Sequence, residues 1–169
     1  DLPSKEGSNE RSGNRTPMQW TPGPTAGFST CRPEQLYFPV ETDGGRITVS
    51  EEERDKHSVL NFVRSLVALR QSSAALGNTG DWRLLSDIGK PYPLVYQRSA
   101  GGDTYIIAVN PSSASVRVNV PTNSFGEERI VSLVGKASCR SEKGSLDIKM
   151  SGISAVVFKQ RDRMIREKE

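Results

Sequence analysis

Apolar positions change their pattern twice along the chain. Residues 1 to about 45 are broken by Pro3, Gly7, Gly13, Pro17, Pro22, Gly23, Pro24, Gly27, Pro33, Pro39, Gly44 and Gly45, and no periodic apolar pattern survives among them. Large apolar side chains still occur there, at Met18, Trp20, Phe28, Leu36, Tyr37 and Phe38. Such groups stabilise a fold only when something covers them, so this stretch is predicted to be a long ordered loop laid on another surface. Ser50-Glu51-Glu52-Glu53 then reads as a capping box. Val59, Leu60, Phe62, Val63, Leu66 and Val67 recur at helical spacing, with Arg64, Ser65, Arg70 and Gln71 on the opposite face. One long amphipathic helix is expected, ended by Leu76-Gly77-Asn78 with Gly77 in the left-handed C′ conformation.

Beyond it lie short runs of β type: Trp82 to Leu85, Leu94 to Arg98, Thr104 to Asn110, Val116 to Val120, Arg129 to Val134, Leu146 to Met150 and Ala155 to Lys159. Turn sequences at Ala100-Gly101-Gly102-Asp103 and Asn110-Pro111-Ser112-Ser113 separate some of them, and Val116 to Val120 alternates strictly. The expected architecture is α+β: a loop and helix over residues 1–79, a small antiparallel all-β sandwich of about seven strands over 80–160, and a charged tail over 161–169. No internal repeat is visible. A loop and a helix with no sheet of their own look like part of something larger.

Composition narrows the function classes. Lys and Arg number 23 against 20 Asp and Glu, interspersed, so the charge gives no reason to expect nucleic acid as a partner. No apolar run is long enough for a membrane span, and Asp1 to Glu6 has neither a basic nor an apolar leader region. Cys31 and Cys139 are far apart without a CxxC, which indicates neither a metal site nor a disulfide framework and leaves one long-range bridge open. The single histidine, His57, sits among Glu53, Arg54, Asp55 and Lys56, where a surface role is expected rather than a held catalytic base. Clustered carboxylates and a Gly-rich phosphate loop are both missing, so neither metal nor cofactor is expected. The loop offers Asp1, Glu6, Glu10, Glu34, Glu41 and Asp43, none at a strand end, which is poor support for a pair of glycosidic carboxyls.

What remains is Asn14-Arg15-Thr16-Pro17-Met18-Gln19-Trp20, continuing to Ala26-Gly27-Phe28-Ser29. Arg15 offers a planar fork of donors for sugar hydroxyls or a carboxylate, and Trp20 or Phe28 could form a platform for a pyranose ring. The alternative is an arginine paired within its own loop and aromatics that anchor it. Arg15 to Trp20 with Ala26-Gly27-Phe28 resembles the α-amylase superfamily of glycoside hydrolases, in its α-glucosidase, oligo-1,6-glucosidase and trehalose synthase branch. The resemblance runs on through Leu36-Tyr37-Phe38-Pro39-Val40, Ser58-Val59-Leu60-Asn61-Phe62, Leu69-Arg70, Ala75-Leu76, Pro93-Leu94-Val95-Tyr96 and Val109-Asn110-Pro111.

The resemblance implies a (β/α)8 barrel whose three catalytic acids would all lie before Asp1. The chain then looks like a C-terminal excerpt: the loop after the eighth strand, the last barrel helix and the following sandwich, catalytically silent by itself. It implies a substrate-binding role for Arg15 at the non-reducing-end glucose, with Gln19, Trp20 and Phe28 ordering the loop. The implied partners are an α-linked glucose oligosaccharide and the barrel itself. A rival expectation makes residues 80–160 a carbohydrate-binding module with Trp82, Tyr92, Tyr96 or Tyr105 on one face. A second is a protein-interaction module. The bacterial cytoplasm is the favoured compartment.

Overall fold

The computed structural model describes residues 16–38, 40, 46–90, 92–122, 130–142 and 144–160. The chain divides into two compact units, residues 1–67 and 68–169. In the first, residues 16–38 run without long regular elements, through a turn at 24–28 and one 3₁₀ turn, Pro33–Gln35. The helical segment differs from the single long helix expected. It is split into α1, Val49–Arg54, and α2, Val59–Gln71, with Asp55 closing the first and Ser58 opening the second.

The physical reason lies in the side chains between them. Ser58 is buried; its Oγ donates to the Glu52 carbonyl at 2.7 Å and accepts from Asn61 N at 3.1 Å. The Asn61 amide donates to the carbonyls of Glu52, Glu53 and Asp55, taking up acceptors that α1 leaves unsatisfied at its end. The capping box also falls two residues earlier than expected. Thr48 Oγ1 accepts from Glu51 N at 3.4 Å, and Thr48 N donates to Glu51 Oε2 at 3.2 Å. Glu53, the expected box partner, instead pairs with Arg64 at 2.8 Å.

In the second unit α2 ends at Gln71 and a 3₁₀ turn, Ala74–Leu76, follows with Ser73 as its cap. Gly77 has φ −75°, so the expected left-handed C′ glycine is not found. Eight strands appear among the described residues: β1 Asp81–Leu84, β2 Leu94–Ala100, β3 Asp103–Asn110, β4 Val116–Pro121, β5 Ile130–Val134, β6 Ser138–Glu142, β7 Ser145–Met150 and β8 Ser154–Gln160. They form two antiparallel sheets, ordered β1-β2-β3-β8-β5 and β4-β7-β6. The strand absent from the sequence reading is β6, whose Ser-Cys-Arg-Ser-Glu has one apolar residue to show.

One core joins the two sheets. Val95, Ile106, Ala108, Val156 and Phe158 of the larger pack with Val120, Leu146, Ile148 and Met150 of the smaller. A second cluster, Ala75, Tyr105 and Ile107 with Leu69 and Leu76, lies on the other side of the larger sheet, where the end of α2 and the 3₁₀ turn cover it. Arg98 Nε donates to the Ala75 carbonyl at 3.0 Å and its Nη2 to that of Gly77, which ties the turn to β2. The β2–β3 hairpin turns on Gly101 and Gly102, both at positive φ, as a two-residue primed turn requires.

Candidate functional site

The stretch that the sequence singles out is held by main chain more than by its aromatics. Trp20 N and Thr21 N both donate to the Ala26 carbonyl, at 2.7 and 3.1 Å, closing the loop on itself. Ala26 is fully buried with φ 50°, a left-handed conformation that the packed turn imposes on a non-glycine residue. The carbonyls of Gln19 and Trp20 accept from Val49 N and Ser50 N at 2.9 and 3.0 Å. These are orphan amides of the first turn of α1, so the loop and the helix start satisfy each other. Arg46 adds bonds to the carbonyls of Pro22 and Gly23.

The side chains are left facing outward. Met18 is 61% and Trp20 49% exposed, while Phe28 is half-buried. Gln19 Oε1 is buried with no hydrogen-bond partner among the described residues. Thr16, Met18, Gln19, Ile47, Val59 and Val63 border an open, mostly apolar groove of about 490 Å³ between the loop and α2. Arg15, the sequence-predicted substrate ligand, lies outside the described residues, as do Asp1, Glu6, Glu10, Glu41, Asp43 and the 161–169 tail. Glu34 is exposed on its 3₁₀ turn, and His57 is exposed at the corner before α2.

Elsewhere the candidates do not converge. Among the described residues no three or more His, Cys, Asp or Glu side chains gather as metal ligands. Cys31 and Cys139 are both free thiols. Burial, with a smaller push from Asp147, raises the Cys139 thiol to about 11, which leaves it a poor nucleophile. Of the four candidate aromatics of the β unit, Trp82, Tyr96 and Tyr105 share one face of the larger sheet by register, but not a common exposure: Tyr105 is buried, Tyr96 half-buried, and Trp82 and Tyr92 are 57% and 50% exposed. Trp82 and Tyr96 do lie near each other, ring centroids 6.1 Å apart and tilted by 32°. Sequence reading missed the roles of Asn61 and Ser58; their polar side chains inside an apolar run were the available signal.

Known proteins resemble this chain in part. Residues 1–79 match the family model "Alpha amylase, catalytic domain". The trehalose synthase/amylase TreS of Mycobacterium tuberculosis is 40% identical over 98 residues, 56% of this chain and 16% of that protein. The glucan 1,6-alpha-glucosidase of Streptococcus dysgalactiae subsp. equisimilis is 34% identical over 102 residues, 60% of this chain and 18% of that one. In solved structures the backbone is similar to that of a trehalulose synthase, MutB, with 27% identity and TM-score 0.64 over 85% of this chain and 25% of that one. The chain thus spans about a sixth of the length of the curated relatives it matches. Its likeness is to glycoside hydrolases of the α-amylase family, and the family model covers the loop, α1, α2 and the 3₁₀ turn after it.

Proposed function

We propose that the protein is the C-terminal stretch of a retaining α-glucosidase-like enzyme acting on α-glucosidic bonds of malto- or isomalto-oligosaccharides. In this reading residues 1–79 are the tail end of a (β/α)8 catalytic barrel and residues 80–160 a β-sandwich that packs on the barrel and stabilises it. Residues 161–169 are a charged tail. The catalytic acids belong to the barrel, the stretch by itself is inactive, and Arg15 binds the terminal glucose. The two free thiols suit a cytoplasmic setting.

The observation that carries the reading is the apolar stripe of α2. Val59, Phe62, Val63 and Val67 are 71%, 52%, 48% and 48% exposed, and no residue of α2 is buried. A stripe of that breadth on an otherwise soluble chain marks a face made to be covered. The names of the relatives, a trehalose synthase/amylase and a glucan 1,6-alpha-glucosidase, support the proposed substrate class. The exposed Trp82 beside Tyr96 supports a second reading, a carbohydrate-binding β module.

A paired assay of the 169-residue chain separates the two: hydrolysis of p-nitrophenyl α-glucoside, and calorimetric binding of maltose and isomaltose. Silence in both is the expected result. Binding without hydrolysis would favour the carbohydrate-binding module, and hydrolysis would overturn the inactive-stretch reading.

A further inference from the structure

Outside the loop, basic side chains converge on the outward face of the three-stranded sheet. The strand register places Arg117 of β4 opposite Lys149 of β7, and Lys149 opposite Ser138 of β6; one row on, Asn119 faces Asp147 and Asp147 faces Arg140. Alternation sends Val118, Ile148 and Cys139 the other way, against the core. Arg117, Ser138, Arg140, Asp147 and Lys149 together line a cavity of about 300 Å³, and Lys136 lies beside Lys149 on an adjoining hollow.

The charges there do not cancel. Among the described side chains lining the hollow the one carboxylate, Asp147, accepts from Arg117 Nε and Nη2 at 2.9 and 2.7 Å in a bidentate fork, and the charge of Arg140 opposite it on β6 holds it further below the usual carboxylate range. Arg140 and Lys149 make no hydrogen bond or ion pair among the described residues. They are diagonal neighbours across β6 and β7, a separation of ~7–8 Å, where like charges repel unless an anion sits between them. Arg140 brings a planar donor fork, Lys149 a mobile ammonium and Ser138 a hydroxyl, which together match the oxygens of one tetrahedral dianion. Beside them the Asn119 amide nitrogen already donates to Ser145 at 3.1 Å, so its side-chain oxygen and the remaining lone pairs of Asp147 are the acceptors offered to hydroxyl groups. The volume falls at the lower end of small-ligand sites, ~300–1,000 Å³, which fits one sugar unit with its phosphate.

We propose that the outward face of β4-β7-β6 binds a phosphomonoester carried on a glucose unit, held by Arg140, Lys149 and Ser138. The glucose half rests on the proposed glucan activity, and the phosphate half on the sheet alone. The ester can come from a free sugar phosphate or from a phosphorylated glucan chain.

Calorimetric titration of the 169-residue chain at low salt tests this with five probes: orthophosphate, α-glucose 1-phosphate, glucose, a phosphorylated dextrin and the same dextrin without phosphate. The phosphate-bearing probes should saturate, with the sugar ester tighter than orthophosphate, while glucose and plain dextrin should not bind this face. Arg140→Ala and Lys149→Ala should each weaken the ester by about tenfold, the scale of a lost charged hydrogen bond. Both are exposed side chains, so folding should be unaffected, and Lys56→Ala in the other unit should change nothing. Tighter binding of phosphorylated dextrin than of the free ester assigns the polymer as source; equal or weaker binding assigns the free sugar phosphate. Orthophosphate bound as tightly as the ester would overturn the glucose half. Unchanged affinity in both variants, or no binding of any phosphate-bearing probe, would overturn the whole.

Discussion

Phe158 and Phe62 are the same side chain in opposite settings. Phe158 points between the two sheets, 2% exposed, against residues from both. Phe62 lies on the apolar stripe of α2, 52% exposed, in a unit whose order comes mostly from caps and main-chain bonds. The contrast teaches that the β unit contains its own partner, whereas in the loop-and-helix unit no described residue buries the apolar stripe of α2. Local chemistry can shape α1, its corner and the loop without a large core, because many of the backbone amides and carbonyls there find a nearby hydrogen-bond partner. It cannot cover Val59, Phe62, Val63 and Val67.

The sharpest way to break the contrast is to truncate both phenylalanines. Phe158→Ala should cost ~3–5 kcal/mol in urea unfolding, through lost burial and the cavity left behind. Phe62→Ala should stay within ~0.5 kcal/mol, as for an exposed position. A large loss at Phe62 would mean that the stripe is covered within this chain.

Gly135 offers the next largest effect. Its φ is 72°, and a Cβ there would meet the Ala155 carbonyl oxygen at 2.0 Å. Gly135→Ala should therefore lower stability by ~2 kcal/mol or more, combining left-handed strain with displacement of β8. Thermal melting would show whether β5 can move aside instead.

In the other unit Thr48→Ala removes the α1 cap and should cost ~1 kcal/mol. The signature is faster amide exchange at Glu51 and Glu52, with the strands of the β unit unchanged.

The smallest effect concerns the clamp in which Asp103 accepts from Ser73 at 2.7 Å and pairs with Lys159 at 2.8 Å. The Lys159 hydrogen bond, then that from Ser73, holds the Asp103 carboxyl below its ordinary 3.8; the same bond raises Lys159 above its ordinary 10.5. The carboxylate's contribution is present above 3.8 and lost as pH falls through its lowered value. The ammonium's is present below 10.5 and lost as pH rises through its raised value. Both groups are about one-third exposed, so Asp103→Asn should cost ~0.5–1 kcal/mol at neutral pH. The difference in urea midpoint should close in acid below 3.8 and in alkali above 10.5.

Much of this architecture is legible in the residues. Strict alternation at Val116 to Val120 is matched by half-buried valines, outward Arg117 and Asn119, and buried Val120. The Gly101-Gly102 turn stands where its dipeptide predicts it. Where the reading failed, a neighbour outweighed the local pattern. Ser50-Glu51-Glu52-Glu53 is a sound capping box in isolation, but the Gln19 and Trp20 carbonyls engage the amides of Val49 and Ser50 and start the helix earlier. Asn61 looks like an interruption of the apolar stripe, and its role as acceptor-filler for α1 appears only once the chain bends back. Strand β6 is held by pairing with β7 rather than by its own hydrophobicity. Of the site, the motif around Thr16 to Trp20 was visible, whereas the bonds that seat it on α1 join residues about thirty apart.

Hydrogen exchange on the intact chain, read amide by amide, tests the central claim most directly. Amides of β3 and β8 should be protected to near the full unfolding free energy, while those of residues 62–67 in α2 should exchange orders of magnitude faster, because among the described residues their apolar face stays about half exposed. Equal protection of residues 62–67 and of β3 and β8 would contradict the account and show that the loop-and-helix unit is complete without a partner.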